Sequence, residues 1–286
     1  MARPRVAASV TMAAVATAWG TIPLIVRTVS LPAEQLAALR LWLGAITVLV
    51  ILGIRGELRL RRTDPLGRIA AIGVLLAIHW AAFFWSIKTT TVAVALVLVY
   101  LGPVAMATLA RAVLGEPLKR RSIIALAAAL VGVVLVARPG AGVTAEGVLT
   151  GLIAAATFAA MVLIGKPAAQ QVGGLKLAGL QMSVAALVMT PWAASSLPEI
   201  PTYWWKVVLL GVVLTGVGLM IYWSLIATLP VMSIAILSYL EPASAVVWAA
   251  LFLAEPGDVW SWIGVALVVG AGITAGTQST QSGGPA

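Results

Sequence analysis

"YLGPVAMATLARAVLGEPLKRR" occupies residues 100–121 and "YLEPASAVVWAALFLAEPGDVW" residues 239–260. Both begin Tyr-Leu-x-Pro and both reach Glu-Pro at the same spacing, 139 residues apart. The first runs on into Lys119, Arg120 and Arg121, the second into Gly257, Asp258, Val259 and Trp260. Upstream, "FFWSIKTT" at 83–90 answers "IYWSLIAT" at 221–228 at an offset of 138, so one residue is gained between the two matches. The chain is written twice, and only the first copy of this loop is basic.

Composition supplies the setting for that repeat. Only 9% of the 286 residues are charged, 62% are hydrophobic, and the mean hydropathy is +1.08. A soluble chain carries about 25% charged residues, so this one lacks the polar surface to face water all round. Apolar runs of about 20 residues, enough to cross ~30 Å of hydrocarbon, recur along its length. They predict an all-α polytopic membrane protein with ten spans, near 6–26, 33–54, 67–87, 90–113, 121–137, 147–165, 175–194, 203–227, 230–253 and 259–277. Residues 278–286 are small and polar and read as a disordered tail. Arg3, Arg5 and "AVATA" at 14–18 loosely resemble a secretory signal, but the apolar run continues through Trp19 to Val26, which predicts that it is retained.

Five spans fit within one repeat, and five is odd. Two such copies (1–140 and 141–277) begin on opposite sides of the bilayer, which predicts inverted topology. Lys and Arg in the short loops set the orientation. With the N-terminus inside, the inner loops collect thirteen basic residues, among them Arg55, Arg59, Arg61, Arg62, Lys119, Arg120, Arg121, Lys166 and Lys176. The outer side holds four: Arg27, Lys88, Arg138 and Lys206. The sequence thus predicts a bacterial-type inner membrane protein with both termini cytoplasmic. The second Glu-Pro loop faces outward, where basic residues would oppose insertion, and it has none. The net charge of +9 is explained by this placement, so no nucleic-acid partner is implied; the partners are the bilayer and a small solute.

Chemistry-bearing residues inside the spans are few. Pro103 and Pro242 fall mid-span at equivalent places, and proline deprives the carbonyl four residues back, here of Val99 and Ser238, of its partner. Paired interruptions point to a central cavity, whereas either proline alone equally fits a packing kink. Glu241 is the only acid at mid-depth. It could pair with a substrate ammonium, carry a proton, or hydrogen-bond between helices. His79, the sole histidine, shares a helix face with Phe83 and Ser86, and either a ligand contact or a backbone bond suits it. Trp19, Tyr100 and Tyr239 lie deep enough to line a cavity, whereas Trp204, Trp205, Trp260 and Trp262 sit at span ends as interfacial anchors. Arg40 reads as snorkelling outward, Glu116-Pro117 and Glu255-Pro256 as helix breakers, and Gly147/Gly151 and Gly272/Gly276 as close-packing pairs.

With ten spans, two five-helix halves, "LGEP" at 114–117, "LAEP" at 253–256 and "YLEP" at 239–242, the chain resembles the EamA family of the drug/metabolite transporter superfamily, and within it the YddG-type amino-acid exporters. The resemblance implies a secondary exporter working by alternating access, with a zwitterionic solute held around His79, Tyr100, Tyr239 and Glu241 and no cofactor. The first-half Tyr-Leu-Gly-Pro lacks the acid, so any coupling through Glu241 is asymmetric. Cationic drugs or sugar-type metabolites form the alternative cargo. No G-x-x-x-x-G-K-[ST] motif implies an ATPase. An intramembrane enzyme gains nothing from a chain without H-E-x-x-H, G-x-S-x-G or cysteine. A channel would call for a polar stripe along several spans.

Overall fold

The computed structural model describes the backbone of residues 2–138, 143–196, 200–253 and 257–281, and among these every regular element is helical. The first span is α1 (Ala2–Trp19) followed, after a break at Gly20 and Thr21, by α2 (Ile22–Val26). Then come α3 (Ala33–Ile54), α4 (Leu66–Thr89), the pair α5 (Val92–Val99) and α6 (Leu101–Leu114), and α7 (Arg120–Ala137). The second half begins with α8 (Ala145–Val172), α9 (Gly174–Val188) and α10 (Thr190–Ser196). There follow α11 (Ile200–Val208), a π-helical segment π1 (Leu209–Val217), α12 (Gly218–Ile226), the pair α13 (Val231–Ser238) and α14 (Leu240–Phe252), and α15 (Val259–Gln281).

Local chemistry fixes the boundaries. Thr91 and Thr144 cap α5 and α8 by accepting the amides of Val94 (3.2 Å) and Gly147 (3.1 Å). Gly115 ends α6 in the left-handed region at φ 70°, a backbone conformation that glycine adopts without strain. The mid-span breaks fall at Tyr100 and Tyr239, three residues before Pro103 and Pro242. Each proline therefore sits in the first turn of a new helix, where its missing amide has no intrahelical partner to lose. The interruption is real but begins one turn earlier than the prolines alone indicate.

Among the described residues, eight helical stretches are long and apolar enough to cross a bilayer, and two shorter apolar helices, Gly174–Val188 and Val259–Thr274, accompany them. The expected span 175–194 is shortened because the helix breaks at Met189 before α10. Helix α15 extends to Gln281, four residues beyond the expected end at 277. The expected motif residues Glu255 and Pro256 lie outside the described residues. The outer surface is lined by exposed apolar side chains such as Ile54 (82%), Phe252 (70%) and Leu187 (63%), the exterior that hydrocarbon solvates.

Inside, α4 packs on α8 and α9, α7 on α15, α6 on α8, and α3 on α9 and π1. The α7–α15 contact is backbone to backbone: a Cβ on Gly132 would stand 2.7 Å from the Gly264 carbonyl. Gly147 and Gly151 admit α4 and α5 as their spacing predicts, whereas Gly272 makes only ordinary contacts.

Candidate functional site

The broken helices converge on Glu241, the second residue of α14. Gly20 makes the convergence possible, since a Cβ there would lie 2.7 Å from the Glu241 carbonyl. The end of α1 is pinned to α14 through the Thr17 carbonyl, which accepts Ser244 Oγ (3.2 Å) and Trp248 Nε1 (2.9 Å). Trp19, the last residue of α1, donates its indole N–H to the Leu214 carbonyl of π1 (2.7 Å) and lies 5.4 Å from the Tyr222 ring.

Two oppositely charged groups, Glu241 and Arg40, stand within the spans, and Tyr100 and Arg40 are the neighbours whose electrostatics act on the Glu241 carboxylate. Arg40 comes from α3, where its guanidinium sits 5.0 Å over the Trp80 ring and its Nε donates to Thr215 Oγ1 (3.1 Å). The outward snorkelling expected of Arg40 is thus corrected: an aromatic face and a buried hydroxyl hold it inside the bundle. Arg40, Glu241, Trp19 and Trp80 are all half-buried, so neither charge is fully sealed off.

The remaining expected residues divide. Tyr100 and Tyr239 pack tilted against one another (5.5 Å between centroids), and the Tyr239 hydroxyl donates to the Tyr100 carbonyl at 2.7 Å. Both are buried, and of the two repeat mates Tyr100 is the one with an electrostatic link to Glu241. Ser238 bonds back to the Ile234 carbonyl (2.8 Å). His79 bonds through Nδ1 to the Ala154 carbonyl of α8 (2.8 Å), and Ser86 to the Gly147 carbonyl of the same helix (2.8 Å). Their shared face is the α4–α8 contact. Phe83 lies against Phe84 (5.8 Å), and Phe84 against Trp80 (6.4 Å). The next face of α4, carrying Trp80 and Phe84, is the one turned toward Arg40.

Arg40, Trp80, Thr215 and Tyr222 are the site residues the sequence reading passed over. One signal was available: Phe84 and Tyr222 are equivalent positions of the "FFWS" and "IYWS" repeat. Tyr222 is buried, and its hydroxyl is close to Ser238 without a hydrogen-bond partner.

A second constellation stands at the end of the bundle that carries the basic loops. Lys166 of α8 bonds Glu116 (2.5 Å) and the Leu229 carbonyl (2.6 Å), while the other Glu116 oxygen accepts the Val231 amide (2.7 Å). Lys176 of α9 bonds Asp64 (2.5 Å) and the Arg59 carbonyl (2.9 Å). Glu116, expected only as a helix breaker, is the centre of this network.

Paired helix breaks beside charged and aromatic side chains, inside a bundle with a lipid-facing exterior, are the features of a membrane carrier. The chain belongs to the EamA-like transporter family, whose model matches it twice, over residues 7–138 and 145–275. It is 29% identical to "Uncharacterized transporter YwfM" of Bacillus subtilis over 272 residues, covering 88% of this chain and 87% of that one. It is 24% identical to an "Uncharacterized transporter" of Archaeoglobus fulgidus over 250 residues, 87% and 89% of the two chains. A crystal structure 21% identical in sequence shares the fold, with a TM-score of 0.80 over 97% of this chain and 99% of that one.

Proposed function

We propose that this transporter is a secondary carrier exporting small neutral or aromatic amino acids, or closely related metabolites, across the inner membrane by alternating access. The observation that carries the reading is that Arg40 of α3, held by Trp80 and Thr215, and Glu241, beside the break between α13 and α14, place one cation and one acid, both half-buried, within the spans. A guanidinium matches a carboxylate and a carboxylate matches an ammonium, so the two together suit a zwitterion. Trp19, Trp80, Phe84 and Tyr222 supply apolar faces for its side chain. A cationic drug would find Glu241 but would be repelled by Arg40, and a sugar would leave both charges unanswered.

In this reading the two halves, 1–140 and 141–277, are inverted five-span repeats. The contacts support it by sorting the connections into two alternating sets. Asp64 with Lys176 and Glu116 with Lys166 tie one set together; Lys88 with Glu34, Lys206 with the Thr28 carbonyl, and Arg138 with Asp258 tie the other. The first set is the cytoplasmic end by its basic loops. The paired breaks at Tyr100 and Tyr239 lie between the two ends, where half-helices can rock about a fixed site.

The test is transport by purified protein in liposomes, with a panel of labelled amino acids, amines and sugars, with and without a pH gradient. Uptake confined to zwitterions, and abolished by Glu241→Gln without loss of expression, is expected. Uptake of amines or sugars in preference would overturn the substrate assignment. For the topology, a cysteine at Asp258 should react with an impermeant reagent from outside and one at Lys119 only after lysis.

A further inference from the structure

The apolar run "LLGVVLTGV" at 209–217 contains one hydroxyl, Thr215, in a segment wound as a π-helix. Such segments are rare and recur at functional sites. The wide turn lets Thr215 Oγ1 donate its proton to the carbonyl of Leu210, five residues back, at 2.8 Å. A hydroxyl has one proton to give. With that proton committed, the oxygen presents only lone pairs to its other partner, the Arg40 Nε–H at 3.1 Å. Thr215 is 1% exposed, so water is kept from competing for the bond.

The approach is set by the backbone. Arg40 and Gly44 share a face of α3, and a Cβ on Gly44 would come 3.1 Å from Thr215 Cγ2 and 3.2 Å from the Gly216 amide. Helix and π segment therefore touch main chain to main chain one turn from Arg40. The guanidinium is held at two points, its central carbon over the Trp80 ring and its Nε on Thr215. An arginine fixed through Nε and over an aromatic ring keeps its Nη pair as the donors for a carboxylate, and little freedom is left for a ligand to freeze out.

We propose that Thr215 is a positioning residue that sets specificity: by fixing the Arg40 fork, it makes the site select solutes that bear a carboxylate. The inference rests on the zwitterion reading of the Arg40–Glu241 site.

The experiment measures phenylalanine transport by reconstituted protein carrying Thr215→Val, Thr215→Ser, Arg40→Gln or Arg40→Gln with Thr215→Val. Thr215→Val is expected to raise KM about tenfold with kcat changed by less than about twofold, the scale of one hydrogen bond to a charged group. Thr215→Ser, which restores the hydroxyl, should stay near wild type, and Thr215→Val should add nothing in the Arg40→Gln background. If Arg40→Gln raises KM while the valine and serine variants behave alike, or if the double variant shows a further additive loss, the role of Thr215 falls and the zwitterion site survives. If Arg40→Gln leaves KM unchanged, or wild-type protein carries none of the labelled amino acids, the zwitterion reading falls and takes Thr215 with it.

Discussion

The two ends of the bundle hold their charges differently. At the basic end, the side chains of Lys166 and Glu116 are 9% and 19% exposed, and those of Lys176 and Asp64 are 11% and 7% exposed. At the opposite end, Lys88 and Glu34 are 49% and 22% exposed, Arg138 and Asp258 55% and 42%. Both buried pairs join an acid from the first family-matched half to a lysine from the second. Exposed pairs are screened by water and ions and contribute ~0–1 kcal/mol each. Buried pairs are different in kind: their formation is roughly neutral, but losing one partner strands a charge. The same ionic chemistry is thus a soft contact at one end and a seal at the other.

The largest effect follows from stranding the central acid. Lys166→Met leaves Glu116 without its cation and the Leu229 carbonyl without a donor, and should cost about 3 kcal/mol, the low end for a buried pair because Glu116 keeps some water. At ~2–4 °C per kcal/mol that is a fall in Tm of roughly 6–12 °C, read by thermal unfolding in detergent. Adding Glu116→Gln should recover part of the loss, because no bare charge then remains. A double variant that is merely additive would show that the two residues do not act as a pair. Arg138→Met, the matching change at the exposed end, should shift stability by less than about 1 kcal/mol. Equal losses at the two ends would erase the distinction.

The unequal ends show what a one-dimensional reading reaches. The fold was legible because lipid demands long apolar helices and because Tyr-Leu-x-Pro and Glu-Pro recur at fixed spacing. Tyr100 and Tyr239 were legible as repeat mates three residues before the prolines, but not the contact of their rings across the two halves. Arg40 was not, since a lone cation in a span is read by its distance to the interface, while its hydroxyl partner lies 175 residues away in a π turn that an apolar run does not reveal. His79 was assigned to the right helix face with Ser86, but periodicity does not say which neighbour a face meets, and that one meets α8. Glu116 looked like punctuation because its partners are 50 and 115 residues further on.

The smallest effect concerns protons at the sealed end. The Asp64 carboxylate accepts the Arg61 amide at 2.8 Å and Lys176 at 2.5 Å. The amide bond first, and the lysine after it, hold its carboxyl below the usual range. A depressed carboxyl stabilises the fold wherever it is ionised in both states, above the unfolded value of about 3.9, and that stabilisation is lost as pH falls through the lower folded value. Between pH 5 and 8 the Asp64–Lys176 contact should therefore be indifferent to pH. The Tm difference between wild type and Asp64→Asn should stay constant across that window and shrink only below about pH 4. A difference that changed between pH 6 and 7 would mean that Asp64 titrates near neutrality, as a proton-sensing gate must, and the seal would then be part of the coupling machinery.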